Sequence, residues 1–356
     1  MNKQRRIPKS WIIICVIAIF LSFFRLPFYI STPGMAKELA PIVKVDGGYS
    51  AEGSFSLTTI RMGKANIVQY AWAKVNDYHE IYREEQIRPD GETNEEYNHR
   101  QLYMMEDSKE QATVVAYTEA KKDIDISYNG VYVSSIIKGM PAEKQLEIGD
   151  RLFAVDGKEM RTAKEFISNV TNKKAGDVVK LKLERDGKKI EKNVHIGTFP
   201  DSEVPESERG KVGLGIVLVE DRSVKVNPNV EIDTSQIGGP SAGLMFTLEI
   251  YNQLVEEDLT KGYKIAGTGT IDYDGNVGRI GGIKQKIVAA HKSGVEIFFA
   301  PNEHGKEHVS VNGDPIPTNY QEALEAARDI KTEMKIIPVD TFKDALNYLE
   351  KLEPTY

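Results

Sequence analysis

The sequence predicts a mixed α/β protein of more than one domain, and three observations lead to this prediction. Strand and helix patterns alternate from residue 211 onward, which is typical of α/β or α+β sheet domains. A hairpin-rich segment between residues 124 and 198 predicts a separate β-rich unit. The 356 residues are enough for two or three domains. An apolar run near the N-terminus precedes these predicted domains.

This apolar run is the first element of the chain. The basic residues that precede it are Lys3, Arg5, Arg6 and Lys9. Residues 11–30 then contain one charge, Arg25, near the far end, where a long side chain reaches the membrane interface. The pattern predicts a cytoplasmic tail over residues 1–10 and a membrane-spanning helix over residues 11–31, with the rest of the chain on the outer face. The uninterrupted core of fourteen residues also fits a cleaved signal peptide, although no good cleavage site follows it.

Composition and charge exclude several classes of function. The net charge of -7 offers no basic surface for a nucleic acid. The single cysteine, Cys15, cannot form an intramolecular disulfide or a zinc cluster. No G-x-x-x-x-G-K-[ST] motif is present to hold a nucleotide phosphate, so we expect no ATPase motor. We also expect neither a cofactor nor a metal.

Residues 35–122 form the next region. The segments "APIVKVDG" and "GSFSLTTIRM" alternate like strands. Residues 95–121 then predict a helix with a polar face.

Residues 123–199 predict the β-rich unit, with "RDGK" as a hairpin signal. The segment "GMPAEKQLEIGDRLFAVDGKEM" resembles a PDZ domain of the bacterial protease type. On that resemblance, "YNGVYV" lies where such domains bind a peptide C-terminus, and Asn129, Gly130, Val131 and Tyr132 are candidate peptide contacts. The alternative is that "NG" only turns the chain and that the valines fill a small core.

The segment "PDSEVPESERG", residues 200–210, has the composition of a linker. Residues 211–356 form the α/β unit, with further helix signals around residues 320–331 and 341–351.

The segment "GGPSAG" contains the candidate nucleophile, Ser241. Gly239 permits a tight turn, and Pro240 suits the first turn of a helix. Leu244 and Leu248 then form part of an apolar helical stripe, so the start of this helix is fixed by packing. A helix start presents free N–H groups that stabilise an oxyanion beside the hydroxyl.

A serine needs a base to accept its proton, and two kinds of base are candidates. The pattern G-x-S-x-G also occurs in α/β-hydrolases, which would use a histidine such as His291, His304 or His308. A proline directly before the serine fits that arrangement poorly. The other candidates are Lys284 and Lys286, and helical periodicity does not distinguish between them.

Two segments in the right order, "GGPSAG" and "AGTGTIDYDGNVGRIGGIKQK", resemble the proteolytic domain of Lon-type Ser–Lys peptidases. The resemblance implies Ser241 as nucleophile, Lys286 as general base and Thr268 as a residue that orients the lysine. It also implies that "GSFSLTTI" is the first strand of this domain, so residues 35–122 would belong to the peptidase region and the PDZ-like unit would be embedded in it. The family usually carries an acidic residue where this chain has Gly238.

An N-terminal anchor, an embedded PDZ-like unit and no ATPase motif together resemble the membrane-bound, ATP-independent Lon-like proteases of Gram-positive bacteria. The resemblance implies a serine endopeptidase that acts outside the membrane on short secreted or membrane-tethered peptides. An oligomer is compatible with it. The alternative from another class is a catalytically silent PDZ scaffold with a degenerate peptidase fold.

Overall fold

Two stretches of chain that are distant in sequence build one unit of this protein, and the stretch between them builds another. The structure is a computed structural model that describes residues 24–88, 92–200, 210–234, 237–309 and 314–355. Met1–Ile124 and Val226–Tyr356 form the first unit, and Asp125–Lys225 form the second. The second unit therefore interrupts the first in sequence.

The strands follow one another along the chain as β1 (Arg25–Glu38), β2 (Val43–Val45), β3 (Ser54–Asn66), β4 (Glu80–Arg83), β5 (Asp123–Ile136), β6 (Arg151–Val155), β7 (Lys158–Glu159), β8 (Val178–Arg185), β9 (Lys188–His195), β10 (Gly197–Thr198), β11 (Val212–Gly213), β12 (Ile216–Asn227), β13 (Val230–Ile232), β14 (Lys264–Gly267), β15 (Thr270–Ile271), β16 (Val277–Gly278), β17 (Ile297–Pro301), β18 (His308–Val309), β19 (Pro315–Ile316) and β20 (Lys335–Val339).

The helices are α1 (Ile67–Ala73), α2 (Glu84–Ile87), α3 (Asn94–Glu119), α4 (Ala163–Thr171), α5 (Gly243–Leu254), α6 (Ile283–Lys292), α7 (Asn319–Asp329) and α8 (Phe342–Leu349). Short 3-10 turns lie at Pro141–Lys144 and Glu303–Gly305.

A six-stranded sheet in the order β20-β17-β14-β3-β1-β4 forms the centre of the first unit. Strands β3, β14, β17 and β20 run parallel, and β1 is antiparallel to β3 and β4. Side chains alternate across β17, so Phe299 packs with α3, α5 and α8, while Phe298 packs with α6 and α7. The sheet thus lies between two helix layers, and the predicted mixed α/β architecture is confirmed.

The predicted membrane span over residues 11–31 is wrong at its C-terminal end. Residues 25–31 lie in β1, where Arg25 pairs with Asn66 and Ser31 pairs with Met62. Ile30 is buried there against Ala65 and Ala73, so the last apolar side chains of the run belong to a protein core. Residues 1–23 lie outside the described residues. No helix in the described part of the chain has both the length and the apolar character needed to cross a bilayer.

The second unit is built on a sheet in the order β12-β5-β6-β8-β9, with β7 paired to β6. Its core contains Val131, Leu152 and Leu181 from the sheet and Phe166 from α4. The "RDGK" hairpin joins β8 to β9 as predicted, with Asp186 and Gly187 both at positive φ.

The boundary between the units differs from the one expected at residue 211. Strand β11 and most of β12 belong to the second unit. Leu214 is buried in the core of that unit, and Ile216 and Leu218 pack against it. The apolar alternation of "VGLGIVLV" therefore completes the β-rich unit instead of starting the α/β unit.

Candidate active site

Ser241 lies in a short turn that leads into α5, which begins two residues later at Gly243. Gly239 adopts a φ of +87°, a conformation that favours glycine, and Pro240 follows it. Leu244 and Leu248 are fully buried on the helix behind the serine. The predicted apolar stripe therefore holds this turn against the core.

Lys286 approaches Ser241 from the opposite face of the sheet. Helix α6 begins after Gly282, whose φ of +69° again favours glycine, and places Lys286 in its first turns. The Lys286 side chain is 2% exposed, and its Nζ lies 2.7 Å from Ser241 Oγ. Burial lowers the pKa of Lys286 from 10.5 to about 7, because the charged form loses its hydration. A large fraction of the amine is therefore neutral at physiological pH.

Thr268 joins the two residues at the carboxyl end of β14. Its Oγ1 donates a hydrogen bond to the carbonyl oxygen of Ser241 over 2.9 Å. Because the hydroxyl has one hydrogen, it acts toward Lys286 Nζ, 2.7 Å away, as an acceptor. This pair of bonds directs an N–H of the amine to Thr268 and leaves the lone pair of the neutral amine for the Ser241 hydroxyl.

Lys284 has a different environment from Lys286. Its Nζ lies 2.7 Å from a carboxylate oxygen of Glu325 on α7. The hydrogen bond to Glu325 raises the pKa of Lys284, so this lysine stays charged at neutral pH. Tertiary packing separates two lysines that helical periodicity left equivalent.

Helix α3 supports the turn before Ser241, and the sequence did not indicate this role. The Gly239 N–H donates to the carbonyl oxygen of Gln101 over 2.9 Å. The Ser108 hydroxyl donates to the carbonyl oxygen of Pro240 over 3.1 Å. The only sequence signal was the predicted helix itself, since its partners lie more than a hundred residues away.

Two main-chain amides at this turn point to an oxyanion site. No backbone carbonyl among the described residues accepts a hydrogen bond from the N–H of Ser241 or Ala242. The carbonyl oxygen of Ser241 is held from the other side by the N–H of Gly269 as well as by Thr268. The turn is therefore fixed through its carbonyl groups, while donors remain beside the hydroxyl.

The histidines that a Ser–His mechanism would require contact other groups. His291 Nδ1 lies 3.0 Å from Thr332 Oγ1. His304 and His308 lie near the carboxylates of Asp340 and Glu303, respectively. The hydrogen bonds of Ser241 Oγ in the described structure involve Lys286 instead.

The predicted peptide-binding loop is not a loop. Asn129, Gly130, Val131 and Tyr132 lie within β5, which has β12 on one side and β6 on the other. Val131 is fully buried in the core, and Gly130 packs so closely on the carbonyl oxygen of Leu152 that a Cβ would lie 2.7 Å from it. The prediction of a loop is therefore wrong, because "NG" continues a strand. The peptide contacts of these four residues stay a prediction.

A different segment of the same unit has the features expected of a peptide-binding loop. Leu214 and Gly215 connect β11 to β12, and Gly215 has a φ of +83°. No backbone carbonyl among the described residues accepts a hydrogen bond from either N–H group. Strand β12 is the edge strand of its sheet, and the start of α4 is bonded to it through Ala163 N–H and Glu220. The "VGLGI" sequence was the signal that could have identified this segment.

Two family models match the chain. Residues 230–350 match the Lon protease (S16) C-terminal proteolytic domain, and residues 104–196 match the PDZ domain. The first match contains Ser241, Thr268 and Lys286. The second begins inside α3, whereas the compact unit begins at Asp125.

Individual relatives agree with these matches. The Lon protease of Mycoplasma mobile is 29% identical over 138 residues, which is 33% of this chain and 16% of the relative. The Lon protease of Mycoplasma pneumoniae is 31% identical over 150 residues, which is 39% of this chain and 17% of the relative. The chain thus spans less than a fifth of either relative.

Among solved structures, the PDZ domain of an SdrC-like protein from Listeria monocytogenes is 30% identical, with a TM-score of 0.24. The match covers 27% of this chain and 93% of that chain. The chain therefore contains one segment similar to the Lon proteolytic domain and one segment similar to a PDZ domain.

Proposed function

We propose that this protein is a serine endopeptidase in which Lys286 activates Ser241. The observation that carries the proposal is the 2.7 Å separation between Lys286 Nζ and Ser241 Oγ. Burial also lowers the pKa of this lysine to about 7. The match to the Lon proteolytic domain supports the same assignment.

The reaction follows from this geometry. Neutral Lys286 accepts the proton of Ser241 as Oγ bonds to the carbonyl carbon of the peptide. The amides of Ser241 and Ala242 donate hydrogen bonds to the oxyanion that forms. The protonated lysine then delivers its proton to the leaving amine, which frees one product and leaves an acyl-enzyme. Lys286 next takes a proton from water as the water oxygen attacks the ester carbon. It returns this proton to Ser241 Oγ as the ester C–O bond breaks, which releases the second product and restores the neutral lysine.

The sheet also offers a place for an extended substrate. Strand β14 ends at Gly267, which pairs with Leu57, while β3 continues to Asn66. Beyond this point, no described strand covers the β14 side of β3. We propose that a peptide pairs with this open edge through its main chain, as peptides do at other sheet edges. Such pairing suits cleavage within a chain.

The chain contains no phosphate-binding G-x-x-x-x-G-K-[ST] motif, so we propose that cleavage requires no ATP from a motor in these residues.

We propose that the PDZ unit binds the C-terminus of a substrate at the edge of β12. The amides of Leu214 and Gly215 would bind the carboxylate, and the peptide would add a strand beside β12. Ile167, on the exposed side of α4 one turn after Ala163, would contact the last side chain. Binding a tail in this way raises the concentration of substrate at the dyad.

We propose that the basic and apolar N-terminal segment directs the chain to the membrane and leaves both units on the outer face. Four basic residues before an apolar run support this orientation. Because β1 begins at Arg25, the apolar segment outside the sheet ends at Phe24. A membrane anchor and a cleaved signal peptide would both give this orientation.

Substitutions of the dyad test the catalytic proposal. Ser241→Ala and Lys286→Ala should each lower kcat/KM on peptide substrates by roughly 10⁴-fold or more, because each removes a member of one catalytic unit. Lys284→Ala is the matched control, since it removes a lysine from the same helix, and it should retain activity within a few-fold. Circular dichroism checks that all three variants fold. Substantial cleavage by a folded Lys286→Ala variant would refute the dyad.

A further inference from the structure

Helix α1 carries an exposed apolar face that has no role in the proposed chemistry. Val68 and Trp72 lie one turn apart on α1, and Val75 follows directly after the C-cap residue Lys74. We call these three residues the α1 apolar face. Trp72 is 59% exposed and Val75 is 74% exposed. The other side of the helix is packed, since the Tyr70 ring contacts the Phe28 ring in a tilted arrangement with ring centres 4.9 Å apart. Three large apolar side chains, on a packed helix and directly after it, therefore remain in contact with solvent.

This face lies where the chain enters the fold from its apolar N-terminal segment. Arg25 is the first residue of β1 and pairs with Asn66. Asn66 is in turn the N-cap of α1, and its side chain accepts a hydrogen bond from the Gln69 amide. Phe24, the last residue before β1, and the start of α1 are thus neighbours across one strand pair.

We propose that the α1 apolar face lies in the head-group region of the bilayer that the N-terminal segment enters. Tryptophan favours this region, because its ring combines an apolar body with a polar N–H. The inference rests on the first of the two possibilities given above, an N-terminal segment that stays in the membrane as an anchor. It adds a second contact that orients the first unit.

The orientation has a consequence for substrate selection. Leu57 of β3 pairs with Gly267, the residue before Thr268. Along the strand direction, the dyad is therefore near the position of Leu57. Strand β3 runs nine residues further to Asn66, which corresponds to roughly 30 Å at about 3.3 Å per residue. The dyad thus lies at the end of β14 that points toward the proposed membrane face. The preferred substrate is a membrane-tethered peptide whose scissile bond lies roughly 30 Å from the surface, about nine extended residues beyond its own anchor.

Fluorescence of Trp72 in vesicles tests the contact directly. The sequence has two tryptophans, Trp11 and Trp72, so Trp11→Phe leaves Trp72 as the sole emitter. In vesicles of phosphatidylcholine and phosphatidylglycerol with bromine near the head-group end of the acyl chains, Trp72 emission should fall at least twofold. The control carries Trp11→Phe, Trp72→Phe and Tyr49→Trp. Tyr49 is 49% exposed and precedes β3 at the opposite end of the sheet, so a tryptophan there should remain unquenched by lipid and open to iodide.

The quenching results show whether lipid, water or protein contacts the α1 apolar face. Quenching of Trp72 by iodide as strong as at position 49 would overturn the inference. Protection from iodide without quenching by bromolipid would also overturn it, because protein would then cover the face. Flotation of the same vesicles reports membrane attachment separately. Failure to float would refute attachment itself, whereas flotation with a water-exposed Trp72 would refute only this contact.

Cleavage rates test the consequence for substrates. Trp72→Glu should lower cleavage of a vesicle-tethered peptide at least fivefold and leave cleavage of the same peptide free in solution unchanged. Tyr49→Glu is the matched control and should leave both rates unchanged. The proposed orientation would be contradicted if both variants cleaved the tethered peptide at the same rate. It would also be contradicted if Trp72→Glu lowered the cleavage of the tethered and the free peptide equally.

Discussion

Lys286 determines the chemistry of the site, because a serine hydroxyl reacts only if a nearby base is uncharged. Burial lowers its pKa from 10.5 to about 7, and each pKa unit corresponds to about 1.4 kcal/mol. At pH 7, burial of this amine therefore lowers the free energy of unfolding by as much as about 5 kcal/mol. Such a cost at one buried side chain is typical of a functional site.

Thr268 offers a test of how the lysine is oriented. Thr268→Val keeps the shape of the side chain but leaves an N–H of Lys286 and one lone pair of the Ser241 carbonyl without their partner. A lost buried hydrogen bond costs about 1–3 kcal/mol, so kcat should fall roughly 5- to 150-fold with little change in KM. Steady-state kinetics on a peptide substrate measures this split.

The conservative variant separates orientation from packing. Thr268→Ser retains the hydroxyl and should recover most of the lost kcat. If Thr268→Val were as active as the wild type, the hydroxyl would have no part in orienting the lysine.

At the scale of elements, three segments from different layers meet at one end of a strand. Helix α5 brings Ser241 from one face of the sheet, and α6 brings Lys286 from the other. Strand β14 ends between them at Gly267 and places Thr268 in contact with both. Ligand sites of open α/β sheets often lie outside the carboxyl ends of strands, as this one does.

The edge strand β12 offers a test of the peptide-binding proposal. A peptide with an apolar, free C-terminus should bind with at least tenfold weaker affinity to Ile167→Glu than to the wild type, because the substitution places a charge beside the last side chain. The same peptide with an amidated C-terminus should also bind weakly, since the amides of Leu214 and Gly215 would then lack their carboxylate. Fluorescence polarisation of a labelled peptide measures both effects.

Ile148→Glu is the matched control, because Ile148 is exposed in the same unit outside the proposed groove. It should bind like the wild type. Equal binding of the free and the amidated peptide would rule out carboxylate recognition at this segment.

For the molecule as a whole, the local sequence predicted individual turns and helices better than the long-range contacts between them. The "GGPSAG" turn, the glycine-led helix of Lys286 and the "RDGK" hairpin depend on nearby residues, and each lies where local pattern placed it. The resemblance to a known family, not helical periodicity, singled out Lys286. In the structure, a contact between α6 and α7 holds Lys284 at Glu325.

Long-range pairing explains the errors. Residues 25–31 were predicted to be the end of a membrane helix, but they form a strand that pairs with β3 and β4. Residues 129–132 were predicted to form a peptide-binding loop, but they lie within β5, which has β6 and β12 as its neighbours in the sheet. The support of the Ser241 turn by Ser108 also depends on a contact across more than a hundred residues. No local pattern encodes these contacts.

The pH dependence of Ser241 acylation shows whether neutral Lys286 is the base that activates the serine. Single-turnover acylation by an activated peptide ester, followed from pH 5 to pH 9, should accelerate as Lys286 loses its proton and level off above an apparent pKa of about 7. The Lys286→Ala variant should lose this titration together with nearly all of the rate. An acylation rate in the wild type that does not change across this range, or one that Lys286→Ala retains, would contradict the account.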